Sequence, residues 1–254
     1  MTHSTMGIQL LRSLATSGFR IFTVEQAKKT AVQLNMNPNY VPEALHYLVG
    51  DGWLIRLKKG VYGISQTCGL GSPLHEFEIA MALVNPSTIS HWTAMHYHHL
   101  TQQTPNKIFA ITPSSSSIPK SCLGGMYHFT KIKQEYYFGM NEEWIGEAKV
   151  WITDPERTLL DGLVLPQHCG DFREVLHAFR MRGDQLDLKR VIGYALRLDH
   201  AVIKRLGWVL ERMSVRESAL KELLRVPIKG YRKLDSTGEL RGPYSRKWMI
   251  QENI

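Results

Sequence analysis

The alternation of apolar and polar positions changes character along the chain. Near the N-terminus Met6, Ile8, Leu10, Leu11, Leu14 and Ala15 recur at helical spacing, and the pattern closes near Gly18. Thr23 follows Phe22 and suits an N-cap, and Gln26 three residues on completes a capping box. This predicts a second helix from Val24 to about Leu34, with Ala27, Ala31 and Leu34 on one face. The turn Asn35-Met36-Asn37-Pro38 comes next. A third helix is placed from Asn39 as N-cap, because Pro42 then falls in the first turn, where no intrahelical N–H is required. From there Val41, Ala44, Leu45, Leu48 and Val49 form one apolar stripe. The opposite face presents Glu43, His46 and Tyr47, with Asn39 and Tyr40 at its N-terminal end. After Gly52 the pattern shortens to that of strands. Trp53–Leu57 and Val61–Ile64 flank Lys58-Lys59-Gly60, which predicts a hairpin with a basic tip.

Three helices followed by a basic hairpin is the order of a winged helix-turn-helix over residues 1–65. In that arrangement the third helix enters a major groove and the hairpin lies along the phosphate backbone. The same module also serves protein contacts elsewhere, so both uses are open at this stage. The candidate DNA-binding residues are Asn39, Tyr40, Glu43, His46 and Tyr47 on the helix and Arg56, Lys58 and Lys59 in the wing. Arg12, Lys28 and Lys29 are weaker candidates. The helix face holds no Lys or Arg, so affinity has to come from phosphate contacts made elsewhere.

Residues 66–73 are rich in Gly and Ser and lack periodicity, which predicts a linker. The remaining 74–254 mix elements. Helices are expected over Leu74–Leu83 and Thr93–His99, with strands at Lys107–Thr112, Met126–Ile132, Glu135–Phe138 and Lys149–Ile152. Helices then dominate: Asp154–Leu163, capped by Asp154 with Pro155 at its first position, then Phe172–Arg180, Leu188–Leu198, Ala201–Met213 and Ser218–Leu224. The fold class is α+β: a winged helix followed by a larger mixed domain with several C-terminal helices.

Charge sharpens this picture. The 254-residue chain has a formal net charge of +8. Residues 1–65 hold seven Lys/Arg against three Asp/Glu, and residues 225–254 hold the same numbers, while the stretch between is neutral. A polyanionic partner at each end is one reading, and solvated basic tails are the other. In the tail, Lys229, Arg232, Lys233, Arg241, Arg246 and Lys247 interleave with Tyr231, Tyr244 and Trp248. That makes a second candidate basic surface at Lys229, Arg232, Lys233, Arg246 and Lys247, for flanking DNA or for RNA. No apolar run is long enough to span a bilayer, and the N-terminus lacks the pattern of a secretory signal. The three cysteines, Cys68, Cys122 and Cys169, have no metal-ligand spacing and read as reduced thiols of a cytoplasmic protein.

Candidate chemistry is sparse. His91, His96, His98 and His99 lie close together, but their spacing does not converge on a metal. Arg157 and Asp161 are four apart on one helix and read as an ion pair rather than catalytic groups. Ser114–Ser117 with Lys120 has no adjacent base. The expectation is therefore no catalytic residue, no metal and no cofactor.

Several blocks together resemble the AbiEi-type antitoxins of bacterial type IV toxin–antitoxin systems. They include Ala44-Leu45, Leu48-Val49, Gly52 and the wing Arg56…Lys59-Gly60-Val61-Tyr62. Further on come Ser90-His91-Trp92-Thr93-Ala94, Leu100-Thr101-Gln102-Gln103 and Pro105. Tyr127…Phe129 and Phe138-Gly139 follow. The most specific run is Asp154-Pro155-Glu156-Arg157-Thr158-Leu159-Leu160-Asp161, and the tail adds Tyr231, Leu234-Asp235, Gly238 and Arg246…Trp248. Members of that family often have basic residues early in the third helix, where this chain has Tyr40-Val41-Pro42-Glu43. The resemblance implies a repressor that binds inverted repeats in its own promoter. It also implies that residues 74–254 form an antitoxin domain countering a nucleotidyltransferase-like toxin, with no stable complex required. Two other readings stay open: a stand-alone winged-helix regulator whose large domain senses a ligand, and an enzyme acting on nucleotides or nucleic acid.

Overall fold

A computed structural model describes residues 3–115 and 121–254. The chain is α+β and divides into two compact units. Unit 1 comprises 1–86, 116–127 and 144–150, and unit 2 comprises 87–115, 128–143 and 151–254. Ser116, Ser117 and Lys120 of the serine-rich loop lie outside the described residues.

Unit 1 begins with α1 (His3–Thr16), β1 (Ile21–Thr23), α2 (Val24–Gln33), α3 (Val41–Gly50), β2 (Leu54–Lys58) and β3 (Val61–Ile64). The three strands form a sheet of order β1-β3-β2, with Phe22 opposite Tyr62 and Tyr62 opposite Arg56. β1 has only three residues, too few for a period-two signal, and the hydrophobic pattern does not mark it. Leu10, Leu11 and Leu14 of α1 meet Phe22, Ala27, Ala31, Leu45, Leu54 and Ile64 in one core. Thr23 and Gln26 close the expected capping box at α2.

The stretch 66–73, expected as a linker, is fastened to the rest of this unit. Ser65 caps a 3-10 turn over Gln66–Cys68, and Thr67 Oγ1 donates to the Gly52 carbonyl at 2.8 Å. The Arg20 guanidinium donates to Ser72 Oγ and to the Pro73 carbonyl, and pairs with Glu78 at 2.8 Å and Glu147 at 2.7 Å. Composition marked this segment as irregular, but the side chains that hold it lie far away in sequence. α4 (Glu76–Leu83) follows, capped by His75 Nδ1 and closed reciprocally by Glu78.

Six short strands come next in chain order, β4 (Thr88–Ile89), β5 (Ile108–Thr112), β6 (Ser121–Cys122), β7 (Gly125–Lys131), β8 (Met140–Ile145) and β9 (Ala148–Thr153), and their order in the sheet is β6-β7-β5-β4-β9-β8. β4 runs antiparallel to β5 and parallel to β9. α5 (His91–Tyr97) follows β4. The strand expected at Glu135–Phe138 does not form. A 3-10 turn occupies Gln134–Tyr136, and the Phe138 ring packs under the guanidinium groups of Arg157 and Arg197, at 4.6 and 3.5 Å. Gly139 then turns the chain at φ +73°.

The helical half of unit 2 contains α6 (Pro155–Val164), α7 (Phe172–Arg182), α8 (Leu188–Ala195), α9 (His200–Arg212) and α10 (Glu217–Arg225). Asp154 caps α6 with Pro155 at its first position, as the sequence predicted. Every residue from Glu156 to Leu163 is buried. α9 is buried from Val202 to Leu210, and its Gly207 lies against the fully buried Trp248 ring, leaving no room for a Cβ. The chain ends in a small sheet of β10 (Arg232–Lys233), β11 (Tyr244–Ser245) and β12 (Ile250–Gln251), ordered β10-β12-β11. Among the described residues no helix is long and apolar enough to cross a membrane.

The α6 charges are paired, although Glu156 Oε2 and Arg157 Nη1 have no hydrogen-bond partner among the described residues. Arg157 pairs with Asp161 at 2.9 Å, and Ser90 Oγ donates to the other Asp161 oxygen at 2.7 Å. Replacing Arg157 with Met leaves a buried carboxylate without its cation. This should lower the urea-unfolding free energy by about 3–5 kcal/mol, with the loss read from the transition midpoint at unchanged m-value.

Candidate nucleic-acid interface

The turn into α3 is built from two short-range devices. Asn35 adopts a left-handed conformation at φ 56°, which Asn tolerates better than most residues. Asn37 rather than Asn39 then supplies the cap, and its Oδ1 accepts from Asn39 N at 3.0 Å. The reason lies in the prolines. Pro38 opens a 3-10 turn through Tyr40, closed by Val41 N donating to the Pro38 carbonyl. Pro42 has no N–H to offer, so the tighter turn satisfies the backbone before the α-helix proper begins at Val41. At the other end Gly52 takes φ +74°, and Trp53 N reaches back to the Leu48 carbonyl at 2.9 Å, a Schellman closure.

With both ends set, Val41, Ala44, Leu45 and Leu48 are buried, and Asn39, Glu43, His46 and Tyr47 are exposed. Tyr40 is half-buried. Burial, with Glu43 and then Tyr47 adding, pushes its phenol above the ordinary tyrosine range, so it stays neutral. The His46 and Tyr47 rings meet edge-on at 6.0 Å. Tyr47 also lines a cavity of about 270 Å³ with Gly7, Ile8, Ala44, Leu48, Asp51 and Trp53. Its ring therefore sits toward α1, away from the N-terminal end of α3.

The wing is fixed at two points. Gly60 turns the tip at φ +77°, and its carbonyl accepts from Val24 N at 3.0 Å, tying the tip to the start of α2. Lys58 Nζ donates to the Leu83 carbonyl at 2.7 Å, at the end of α4. Lys58 is thus half-buried and serves as an anchor, whereas Arg56 and Lys59 are exposed. A register shift between Arg56 and Lys58 bulges β2 at this point. Of the weaker candidates, Lys28 pairs with Glu25 at 3.4 Å, and Arg12 and Lys29 are exposed. Outside the wing, exposed cations of the described residues therefore come from α1 and α2 and not from the exposed side of α3.

The winged-helix region matches a known family. The chain matches the family described as transcriptional regulator, AbiEi antitoxin, over residues 9–65. The matched segment thus runs from α1 through the wing. The whole chain is similar in fold to the crystal structure of the RV2827C protein from Mycobacterium tuberculosis. That likeness has a TM-score of 0.63 at 11% identity and covers 97% of this chain and 90% of the other. No curated protein sequence matches the chain.

Beyond the matched segment, the histidines noted in sequence disperse. His96 Nδ1 lies 3.2 Å from the Gln103 carbonyl, His98 Nε2 lies 2.7 Å from the Thr153 carbonyl, and His99 is exposed. His91 instead meets two partners that spacing did not indicate. Its ring lies 5.2 Å from that of His168, which lies 4.4 Å from that of His128. These three come from separate elements, so nothing in the linear sequence joins them. Among the described residues no group is arranged to hold a metal ion. His91 Nδ1 is buried and has no partner there.

Burial pushes His91 down to about 4, against the pull of Asp161. His168 is also pushed down to about 4 by burial and then by His128. Arg157 and His128 further oppose a charge on His91, and Lys107 faces His128. Between pH 6.5 and 4 the unfolded chain therefore binds protons that the folded chain refuses. Stability should fall as pH drops through that window, by up to about 1.4 kcal/mol per pH unit for the fully buried His91. Urea unfolding at pH 7, 6 and 5 would show the slope, and His91→Gln should flatten it. An unchanged slope in that variant would remove His91 from the account.

Proposed function

We propose that this protein is a DNA-binding transcriptional repressor that regulates its own operon and acts as the antitoxin of a type IV toxin–antitoxin pair. The observation that carries the reading is the α1-β1-α2-α3-β2-β3 arrangement over the AbiEi-matching residues 9–65, with an exposed α3 face and a rigidly held wing. A helix presented this way fits a major groove, and a hairpin beside it fits the flanking backbone. Asn39, Glu43 and His46 would read base edges, with Tyr40 and Tyr47 bordering them. Asn suits adenine, and a carboxylate suits the cytosine amino group. Arg56 and Lys59 would take the phosphates, and Lys58 would hold the wing that presents them. Duplex DNA with inverted repeats in the upstream region is the expected ligand.

The toxin partner would be a nucleotidyltransferase-like protein countered without a stable complex. The chain itself would perform no catalysis, and it would work in the cytoplasm. Every charged group of the Asp154–Asp161 run in unit 2 has a structural partner, which supports a scaffold role for that run.

A gel-shift titration of the upstream region against an unrelated duplex tests the reading. Selective retention of the upstream fragment is expected, and equal weak binding to both would reject an operator. Arg56→Ala with Lys59→Ala should weaken binding to every duplex alike. It should also reduce the slope of log K against log salt by roughly 1.8, at about 0.9 per phosphate contact. Asn39→Ala or Glu43→Ala should instead change base preference and leave the slope intact. Wild-type binding by the wing variant at all salt concentrations would overturn this docking.

A further inference from the structure

The C-terminal segment sorts its cations by partner. Lys247 donates to Glu211 at 2.6 Å and faces Glu217 at 3.4 Å. Lys233 is held by the Gly238 carbonyl at 2.8 Å, and Arg241 pairs with Glu239 at 3.4 Å. Trp248 is buried and donates its Nε1 proton to Glu211. These four side chains belong to the fold. Lys229, Arg232 and Arg246 remain, all exposed and without an ion pair among the described residues.

Two tyrosines remain with them. The β10-β12-β11 register sets Lys233, Gln251 and Tyr244 abreast. Tyr231 precedes Lys233 by two residues and by strand alternation shares that face. The Tyr231 and Tyr244 rings lie 4.7 Å apart at 60°, and the residues are 39% and 58% exposed. Lys229 lies two residues before Tyr231 and Arg246 two beyond Tyr244, whereas Arg232, in register with Ile250 and Ser245, falls on the opposite face by the same alternation. A merely solvated basic tail needs charges, but it has no cause to hold two aromatic rings together in water. Rings flanked by unpaired cations provide what an unpaired nucleotide strand requires: a face for bases and charge for phosphates. A duplex cannot use the rings, because its base faces are already stacked.

We propose that the β10-β12-β11 sheet is a binding surface for single-stranded nucleic acid. Bases stack on Tyr231 and Tyr244, and phosphates pair with Lys229 and Arg246. The site is separate from the winged helix and does not depend on the duplex-binding reading.

The test is fluorescence anisotropy of the full chain with labelled rU10 and dT10, each challenged with unlabelled duplex. Binding of at least one single strand is expected to survive duplex competition. Tyr231→Ala with Tyr244→Ala should weaken it by roughly ten-fold or more, while Tyr231→Phe with Tyr244→Phe should retain it. Lys229→Gln with Arg246→Gln should reduce the salt slope by about 1.4, at about 0.7 per contact for single strands. That pair of exposed side chains also decides the matter if the alanine variant fails to fold. The proposal is overturned if the alanine variant binds like wild type or the phenylalanine variant fails with it. It is equally overturned if the glutamine variant keeps the full slope, or if neither strand binds or duplex displaces both. Loss of strand binding in the Arg56→Ala, Lys59→Ala wing variant would assign the binding to the wing and overturn it too.

Discussion

α6 is surrounded on all sides, and that constraint organises unit 2. A helix buried from Glu156 to Leu163 would ordinarily be apolar throughout, yet this one includes Glu156, Arg157 and Asp161, with Asp154 at its cap. Each charge needs a partner, because burying an isolated ion costs more than any single contact returns. Those partners define the neighbourhood. Asp161 draws in Ser90, and Asp154 accepts from Tyr194 at 2.8 Å. Glu156 collects Arg182, Arg190 and the Asp187 N–H. The same logic extends outward. Buried Arg205 donates to the Leu163 carbonyl at the end of α6, and buried Lys204 donates to the carbonyls of Leu223 and Leu224 at the end of α10. Helix ends that would otherwise leave carbonyls without donors are closed by cations from α9. Packing and ion pairing thus connect this run of the sequence to Ser90, α7 and α8.

Unit 1 is organised by a different constraint, the need to bury one stripe of α3 while keeping its other face free. The Schellman closure at Gly52 and the 3-10 turn at Pro38 set the ends of that helix. The wing is then held by backbone at Gly60 and by Lys58 at the Leu83 carbonyl. A wing pinned at both places presents Arg56 and Lys59 with little ordering left to do on binding, which lowers the entropic cost of association.

The sequence made the winged helix legible because its signals are local: a capping box at Thr23, a 3.6-residue stripe from Val41, and a glycine at a hairpin tip. Asp154-Pro155 announced α6 for the same reason. The failures are equally physical. Asn39 was read as the cap because a lone helix model has no place for a 3-10 turn ahead of Pro42. Residues 66–73 looked free because Arg20, Gly52 and Glu147, which fasten them or their binding partners, are distant in sequence. Phe138 read as part of a strand because its aromatic ring favours one, but Arg157 and Arg197 claim it from across the unit. The His91, His128 and His168 group was invisible since no spacing rule links three elements.

Charge illustrates how far a count differs from an interface. Each basic end of the chain has seven cations. At the N-terminal end Arg20, Lys28 and Lys58 are tied to carboxylates or a carbonyl, and in the tail Lys233, Arg241 and Lys247 are tied likewise. A cation already in an ion pair releases few counterions from a polyanion, since forming the new contact breaks the old one. The surfaces available to nucleic acid are therefore narrower than net charge implies, and they differ in kind. In unit 1 the exposed cations lie outside a helix face with no cation of its own, and on the proposed reading this would separate affinity from sequence reading. In the tail they flank two exposed rings, which suits bases that have left their duplex. On the two proposals, the same surplus charge at each end would favour different structures of the polymer, because the neighbouring side chains differ.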